Sequence, residues 1–459
     1  MSATQNVVEL RHELLERLAE ARTRTDEVFA LVRPEFLYER PIAERHRIVF
    51  YIGHLEAFDW NLLRERLFSA PVHRAEFDRL FAFGIDPVDG GLPRDQPKDW
   101  PRLAEVRDYV AHTRRAVDRG IQMTLGGMAE GKMPSGQPAG RRRYVSAGGE
   151  FPASQLLHVA IEHRLMHAET LCYMLHQLPL DQKIAPPKRP ELVSAPVKPS
   201  MVEIPEGRIT LGIRRGGKEF GWDNEFEMHM AHVPAFAIDK YMVTNGQFLE
   251  FVKAGGYEDR KHWTDVDWKW RSEQGITQPG FWRRNDYRWR LRTMFDEIEL
   301  PLDWPVYVSQ SEASAYARWS GNVLPTEAQW QRAAYGTLGE EGRAYPWGSE
   351  LPNPVRGNFN FQRWDPAPVS GAPEGESAFG VVGLAGNGWE WTSTGFAPFP
   401  GFEPFPFYRG YSADFFDGKH FVMKGGSAQT AASMLRRSFR NWFQPHYPHV
   451  YAGFRCVNN

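Results

Sequence analysis

Cysteine is nearly absent from this chain. Its 459 residues contain only Cys172 and Cys456. They form no CxxC pair, no zinc-ribbon spacing and no disulfide framework, so a reducing, cytoplasmic setting is expected. Long apolar runs are missing too. No stretch approaches the roughly 20 apolar residues of a membrane span. The N-terminal MSATQNVVELRHELLERLAEARTRTDEVF has no apolar core of signal-peptide length. Charge of one sign is also lacking. Lys and Arg number 55 against 57 Asp and Glu, for a net charge of −2. That balance offers no footprint for nucleic acid or an anionic membrane as partner. What is plentiful is aromatic side chain, at 14% of residues, with most of the 16 Trp beyond residue 260. The length allows two or three domains, and the uneven aromatics suggest domains of different character.

The first part reads as helical. Val8, Leu10, Leu14, Leu15, Leu18, Ala21, Val28 and Leu31 recur at helical spacing over 7–32, and Pro34 ends the run. A second helix is expected over 41–68, opened by Pro41, with Ile48, Tyr51, Ile52, Leu55, Phe58 and Leu62 as its stripe. His54 lies on that stripe. The segment FGIDPVDGGLPRDQPKDWP (83–101) reads as a long loop. Helices over about 102–129 and 152–178 follow, separated by a loop at 130–150. Four such helices predict a four-helix bundle over 1–178. Residues 179–200 hold six prolines and read as an extended linker. From 201 to 459 helical periodicity is scarce. Short apolar pieces alternate with Gly, Pro, Asn and Trp, and helices are expected only at 245–254, 311–320 and 326–335. The predicted fold class is therefore α+β.

One stretch carries metal chemistry. In Glu162-His163-Arg164-Leu165-Met166-His167-Ala168-Glu169 the two histidines stand four apart. On a helix they are about 40° apart around the axis, so both imidazoles can reach one cation. The bland alternative is two polar positions on an amphipathic helix. Glu169 falls about 200° round from His167, which suits an outer contact or a packing salt bridge better than ligation. A third ligand could come from His46, His54, His73 or His158. Spacing does not choose among them, but position on a buried stripe favours His54. Three imidazoles suit Fe(II) or zinc alike.

Six patterns in the second half occur in one order: VTNGQFLEFVKAGGY (243–257), PVYVSQSEASAYARWSGNVLPTEAQWQRAAYG (305–336), YPWG (345–348), GLAGNGWEWTSTGF (383–396), KGGS (424–427) and YAGFRC (451–456). Together they resemble the formylglycine-generating-enzyme family, whose fold is a variant of the C-type lectin fold. The first half resembles the DinB-like four-helix domain, chiefly in its histidines. The combination resembles the EgtB/SenA family of non-haem iron enzymes. Members use O2 to join a sulfur donor, or in the SenA branch a selenosugar, to the imidazole C2 of hercynine, the trimethylated betaine of histidine. The resemblance implies Fe(II) held by His54, His163 and His167, with Glu169 completing the motif. It also implies that Asn441 and Trp442, in SFRNWFQPHYPHVYAGFRC, hold hercynine. A Trp face suits a trimethylammonium group, and an Asn can bond a carboxylate or amine. With Cys456 the only cysteine in the second half, cysteine oxidation chemistry is not expected there.

Three departures from the sulfur-using members concern the donor side. Phe396 and Phe399 stand where those members carry tyrosines, and a phenyl ring cannot donate a proton. Met166 stands where they carry a glutamine. Phe443 replaces an acidic residue after Asn-Trp, and the 83–101 loop offers Arg94 and Lys98 among Asp86, Asp89, Asp95 and Asp99 instead of an arginine pair. Such a loop suits hydroxyl-rich groups better than a dicarboxylate. Phe396, Phe399, Phe443, Met166 and Arg94 are thus the expected donor-side positions, and a selenosugar is the expected donor, with a thiol as the alternative. No catalytic acid or base is assigned; Tyr51, Tyr408 and Tyr447 are available. Two other classes remain open: a lectin-like module that only binds, and a zinc hydrolase on a DinB-like bundle.

Overall fold

The computed structural model describes residues 3–68, 70–82, 92–126, 152–187, 197–217, 219–286, 288–339 and 342–458. The chain divides into two compact units, Met1–Pro186 and Pro187–Asn459.

The first unit is built from α1 (Ala3–Phe29), α2 (Ile48–Arg66), α3 (Ala75–Leu80), α4 (Leu103–Gly126) and α5 (Ala153–His176). α1 packs along α5, and α2 packs on both α4 and α5. Leu14, Leu18, Ala21, Thr25 and Val28 of α1 are all buried, at spacings of four and three that place them on one face. α5 is buried around most of its circumference, and its buried residues include Glu162, His163, Arg164, His167 and Glu169. A helix enclosed like this must satisfy its polar groups inside the protein.

α2 starts at Ile48 rather than at Pro41. Its N-cap, Arg47, is extended and largely buried. Its guanidinium donates to Asp95 Oδ2 (3.0 Å), to the Asp95 carbonyl (2.8 Å) and to the Tyr38 carbonyl (2.7 Å). A buried cation needs those partners more than the chain needs two further helical turns. The proline-rich stretch is also partly absorbed into structure. Val32 bridges Lys183, and the Ile184 N–H donates to the Leu31 carbonyl at 2.8 Å. At its far end the Lys240 N–H donates to the Ser200 carbonyl at 2.9 Å. The 130–150 loop lies outside the described residues.

The second unit has small sheets instead of one large one. β1 (Met201–Ile204), β4 (Phe236–Asp239) and β12 (Val457–Asn458) bring the first and last strands of the unit into one antiparallel sheet. β8 (Trp389–Gly395), β9 (Phe421–Lys424), β10 (Asn441–Phe443) and β11 (Ala452–Gly453) form a second sheet in the order β10-β9-β8-β11. A hairpin of β2 (Gly207–Leu211) and β3 (His229–Val233), and a meander of β5 (Trp282–Asn285), β6 (Arg288–Arg292) and β7 (Glu297–Glu299), complete the strands. Helices α6 (Asn245–Lys253), α8 (Gln310–Trp319) and α9 (Glu327–Tyr335) each begin at a hydroxyl cap, Thr244, Ser309 and Thr326, whose oxygen accepts from the N3 backbone N–H. α7 (Asp265–Glu273), capped by Thr264, is an addition to the predicted helices. The core gathers Ile204, Ile209, Phe236, Ile238, Trp330, Leu384 and Val457 around α9.

The sequence patterns of this unit are largely its framework. Glu390 of the WEW segment accepts from Arg455 Nε and Trp330 Nε1, both at 2.9 Å and all buried. Trp391 Nε1 donates to the Val308 carbonyl at 2.9 Å. Asn387 takes the left-handed region (φ 68°), and its carboxamide bonds both the N–H and the carbonyl of Ala367.

Candidate metal centre

The first unit brings together His54 from α2 with His163 and His167 from α5. All three are buried, and one donor nitrogen from each lies within 4.8 Å of the others. No other such cluster of His, Cys, Asp or Glu occurs among the described residues. His163 Nε2 and His167 Nε2 are 3.1 Å apart. Two nitrogens bound to one cation at about 2.1 Å would stand roughly 3.0–3.4 Å apart, so this spacing fits a shared ion.

Each imidazole is oriented by what surrounds it. His54 Nδ1 lies 2.7 Å from the Phe81 carbonyl. A carbonyl only accepts, so Nδ1 carries the proton and Nε2 keeps its lone pair for the cluster. Phe81 caps the C-terminus of α3, so this short helix delivers the carbonyl. Phe58 stacks flat on His163, with centroids 3.4 Å apart and planes 10° apart, and Phe50 stacks on His54 at 4.9 Å. Tyr51 lies 5.8 Å from His167, ring to ring. Burial in this apolar shell holds all three imidazoles neutral. It pushes His54 down to about 4 and His163 and His167 well below the usual range, and the Arg164 cation adds to the effect on each. Neutral imidazoles with free lone pairs are what a divalent transition metal requires, so the donor set fits such an ion.

Glu169 is buried but lies outside the three-nitrogen cluster, as its place on the helix requires. Met166 is half-buried on the same helix. Arg94 is exposed in the described part of its loop. The neighbouring aspartates are engaged by the protein itself. Asp95 bonds Arg40, Arg47 and Trp100 Nε1, and Asp99 accepts from the Gln96 N–H at 2.7 Å. Burial tends to raise the Asp95 carboxyl, and the Trp100 hydrogen bond with the two guanidinium groups outweighs it, leaving the carboxyl low. Asp95 is therefore a fold contact, whereas Asp99 is exposed and uses one oxygen to cap the turn at Gln96. Asp86 and Asp89 lie outside the described residues.

Sequence reasoning missed a charged layer behind the histidines. Arg164, fully buried beside His163, donates to Glu56 Oε1 (3.0 Å), Asp59 Oδ2 (2.6 Å) and the Leu55 carbonyl (3.1 Å), all on α2. Glu56 also accepts from Arg114 of α4 (2.8 Å), whose other nitrogens fork onto Asp26 of α1 at 2.7 Å. Burial opposes the Glu56 charge, but Arg164 and Arg114 outweigh it and hold the carboxyl low. The available signal was charge spacing: Glu56 and Asp59 interrupt an otherwise apolar helix face.

In the second unit Asn441 and Trp442 occupy β10, paired antiparallel with Met423 and Val422 of β9. Both are half-buried, and Asn441 Oδ1 accepts from the Trp442 N–H at 2.9 Å. The Trp442 ring stacks on Phe396 at 4.2 Å with planes 7° apart. The Arg440 guanidinium lies 5.0 Å from the Phe396 ring and 4.0 Å from that of Phe399, while forking onto Glu327 at 2.9 and 3.1 Å. Phe396 and Phe399 are only 2% and 8% exposed. Their place is in a column that braces Trp442, where almost none of their surface is accessible. Phe443 stacks on Tyr447 at 5.1 Å. His446, which the sequence reading passed over, bonds Asp267 of α7 at 2.9 Å and stacks on Trp270.

The sequence of residues 188–459 matches the sulfatase-modifying factor enzyme 1-like domain, and residues 17–171 match the DinB superfamily. The hercynine oxygenase of Mycolicibacterium thermoresistibile is 37% identical over 311 residues, covering 65% of this chain and 68% of that protein. The chain belongs to the EgtB family. A second member, the hercynine oxygenase of Mycobacterium tuberculosis, is 40% identical over 252 residues, 54% of this chain and 58% of that one. Ergothioneine biosynthesis protein 1 of Neurospora crassa is 28% identical across 93% of this chain but only 55% of its own length. The chain therefore spans between about half and about two thirds of these EgtB-family relatives. Among its described residues no helix is long and apolar enough to cross a membrane.

Proposed function

We propose that this protein is an O2-dependent, non-haem Fe(II) enzyme that joins the imidazole C2 of hercynine to a selenosugar. The buried group of three neutral imidazoles carries the reading. His54, His163 and His167 would hold Fe(II), which supplies redox chemistry with dioxygen when bound. With three protein ligands and no carboxylate among them, positions stay open for dioxygen and substrate. The Trp442 indole suits the trimethylammonium group of hercynine, and the Asn441 carboxamide suits its carboxylate. Glu169 would act from outside the coordination sphere. A reducing cytoplasmic setting belongs to the same reading.

The donor is assigned from residue chemistry. Phe396 replaces a phenol and is clamped between Trp442 and Arg440, so no proton donor stands there. A selenol ionises more readily than a thiol and depends less on a protein acid or base. The second reading is a thiol donor and a C–S bond, favoured by relatives named as hercynine oxygenases and ergothioneine biosynthesis proteins. Iron-loaded protein supplied with hercynine, O2 and equal amounts of a 1-seleno sugar, cysteine and γ-glutamylcysteine should give the C–Se adduct as the major product by mass spectrometry. A dominant C–S product would establish the second reading. No product, and no oxygen uptake with hercynine, would sink both.

A further inference from the structure

We infer that the buried Arg164–Glu56–Asp59 cluster is the positioning device of the metal centre, setting where His54 stands relative to His163 and His167. It rests on the metal-centre reading above. Arg164 shares a helix with the two paired ligands and follows His163 directly. Glu56 and Asp59 share a helix with His54, two and five residues on. The guanidinium bonds both carboxylates and the Leu55 carbonyl, the residue next to His54. Its grip on α2 thus holds the turn that directly follows His54, through one backbone carbonyl and two side chains. Arg164 and Glu56 are 108 positions apart, so nothing local in the chain fixes this register.

The surrounding structure extends the device. Arg114 ties Glu56 to α4 and, through Asp26, to α1. Each of α1, α2, α4 and α5 therefore enters the network. Apolar packing alone is a poor substitute. Ridges of Leu, Ile and Val tolerate small shifts between helices, whereas a planar guanidinium bonded to two carboxylates and a carbonyl does not. Metal ligands need placement within about 0.5 Å, a tolerance that fixed polar contacts meet. Buried ion clusters often stabilise a fold no better than apolar side chains of equal volume, so stability gives little reason for this one. Its location, one residue from His163 and two from His54, gives a reason.

The test separates positioning from stability. A variant carrying Arg164→Met, Glu56→Met and Asp59→Leu together replaces the cluster by apolar groups in the full-length chain. Co(II) reports the site through its d–d absorption and through competition for a chelator. The variant should keep the helical circular dichroism and the unfolding midpoint, while Co(II) affinity falls by about 10- to 100-fold and the absorption bands shift. Wild-type affinity and bands in the folded variant would overturn the inference. If the triple variant does not fold, Asp59→Asn decides, since it keeps shape and removes one charged bond: weaker Co(II) binding supports positioning, and unchanged binding overturns it. Rescue is a further check, with Asp59→Glu expected to recover more affinity than Asp59→Asn. Failure of the wild-type protein itself to bind Co(II) would instead refute the metal-centre reading, which keeps the two outcomes distinct.

Discussion

Three imidazoles kept neutral by burial make the protein sensitive to acid at single residues. His54 in the folded chain takes its proton only near 4, against an ordinary value of 6.5, and His163 and His167 lie low as well. Between those values these histidines are protonated in the unfolded chain and not in the native one, so their contribution to stability is lost as pH drops from about 6.5 toward 4 and is full above that window, while the raised Asp223 and Asp239 carboxyls of the second unit work in the opposite sense. His54 alone accounts for about 3 kcal/mol by pH 4. Urea unfolding of metal-free protein from pH 7.5 to 4.5, read at the helical unit, should lose about one proton of pH slope in His54→Gln relative to wild type. An unchanged slope in the variant would mean that His54 is not held neutral. In the second unit, Trp442→Ala should raise KM for hercynine by about tenfold, the scale of a partly desolvated cation–π contact, with metal stoichiometry unchanged. A fall in kcat at constant KM would place Trp442 outside substrate binding.

At the scale of elements, α3 is six residues long and yet orients His54, because the carbonyl of its C-cap Phe81 holds His54 Nδ1. The contact depends on Gly53. A Cβ there would meet the Phe81 ring at 2.5 Å, so α2 and α3 approach as closely as they do only over a glycine. Gly53→Ala should displace Phe81, loosen the His54 ring and weaken Co(II) binding by about tenfold or more, while Gly120→Ala, against Phe68 and away from the histidines, should not. Equal losses in the two variants would make the effect one of general packing.

Elements of this kind also mark how far the sequence could be read. The long helices announce themselves by apolar spacing, and three helices of the second unit by Thr or Ser caps. α3 gives no such signal, and α7 has its Thr264 cap but no apolar spacing to go with it. α3 is too short for a period, and α7 (DVDWKWRSE) buries only Asp267. The start of α2 moved to Ile48 because a long-range contact, Arg47 to Asp95, outranks the local preference of Pro41. The histidine pair was legible from its spacing. The Arg164 cluster was not, because its partners are more than a hundred residues apart, and neither was the burial of Phe396, which comes from Trp442, Arg440 and Phe416 packed around it. Aspartates that read as free loop carboxylates proved to be hydrogen-bond partners, since sequence shows a charge but not what it faces.

For the whole molecule, the proposed metal site would be a long-range staple. Its three histidines come from two helices well apart in the first unit, and such an arrangement does not exist in the unfolded chain. An ion that binds only the native state stabilises it by RT ln(1 + [L]/Kd), about 2.7 kcal/mol at a hundredfold excess over Kd. Anaerobic Fe(II) or Co(II) added to chelator-treated protein should therefore raise the urea midpoint of the helical unit in proportion to the logarithm of metal concentration. His54→Ala should lose most of that rise. It leaves the i, i+4 pair of α5 intact, which can still hold an ion weakly but no longer ties α2 to α5. If metal stabilised this variant as much as the native chain, the binding energy would reside in α5 alone. His54 would then be a bystander to the centre rather than the ligand that closes it.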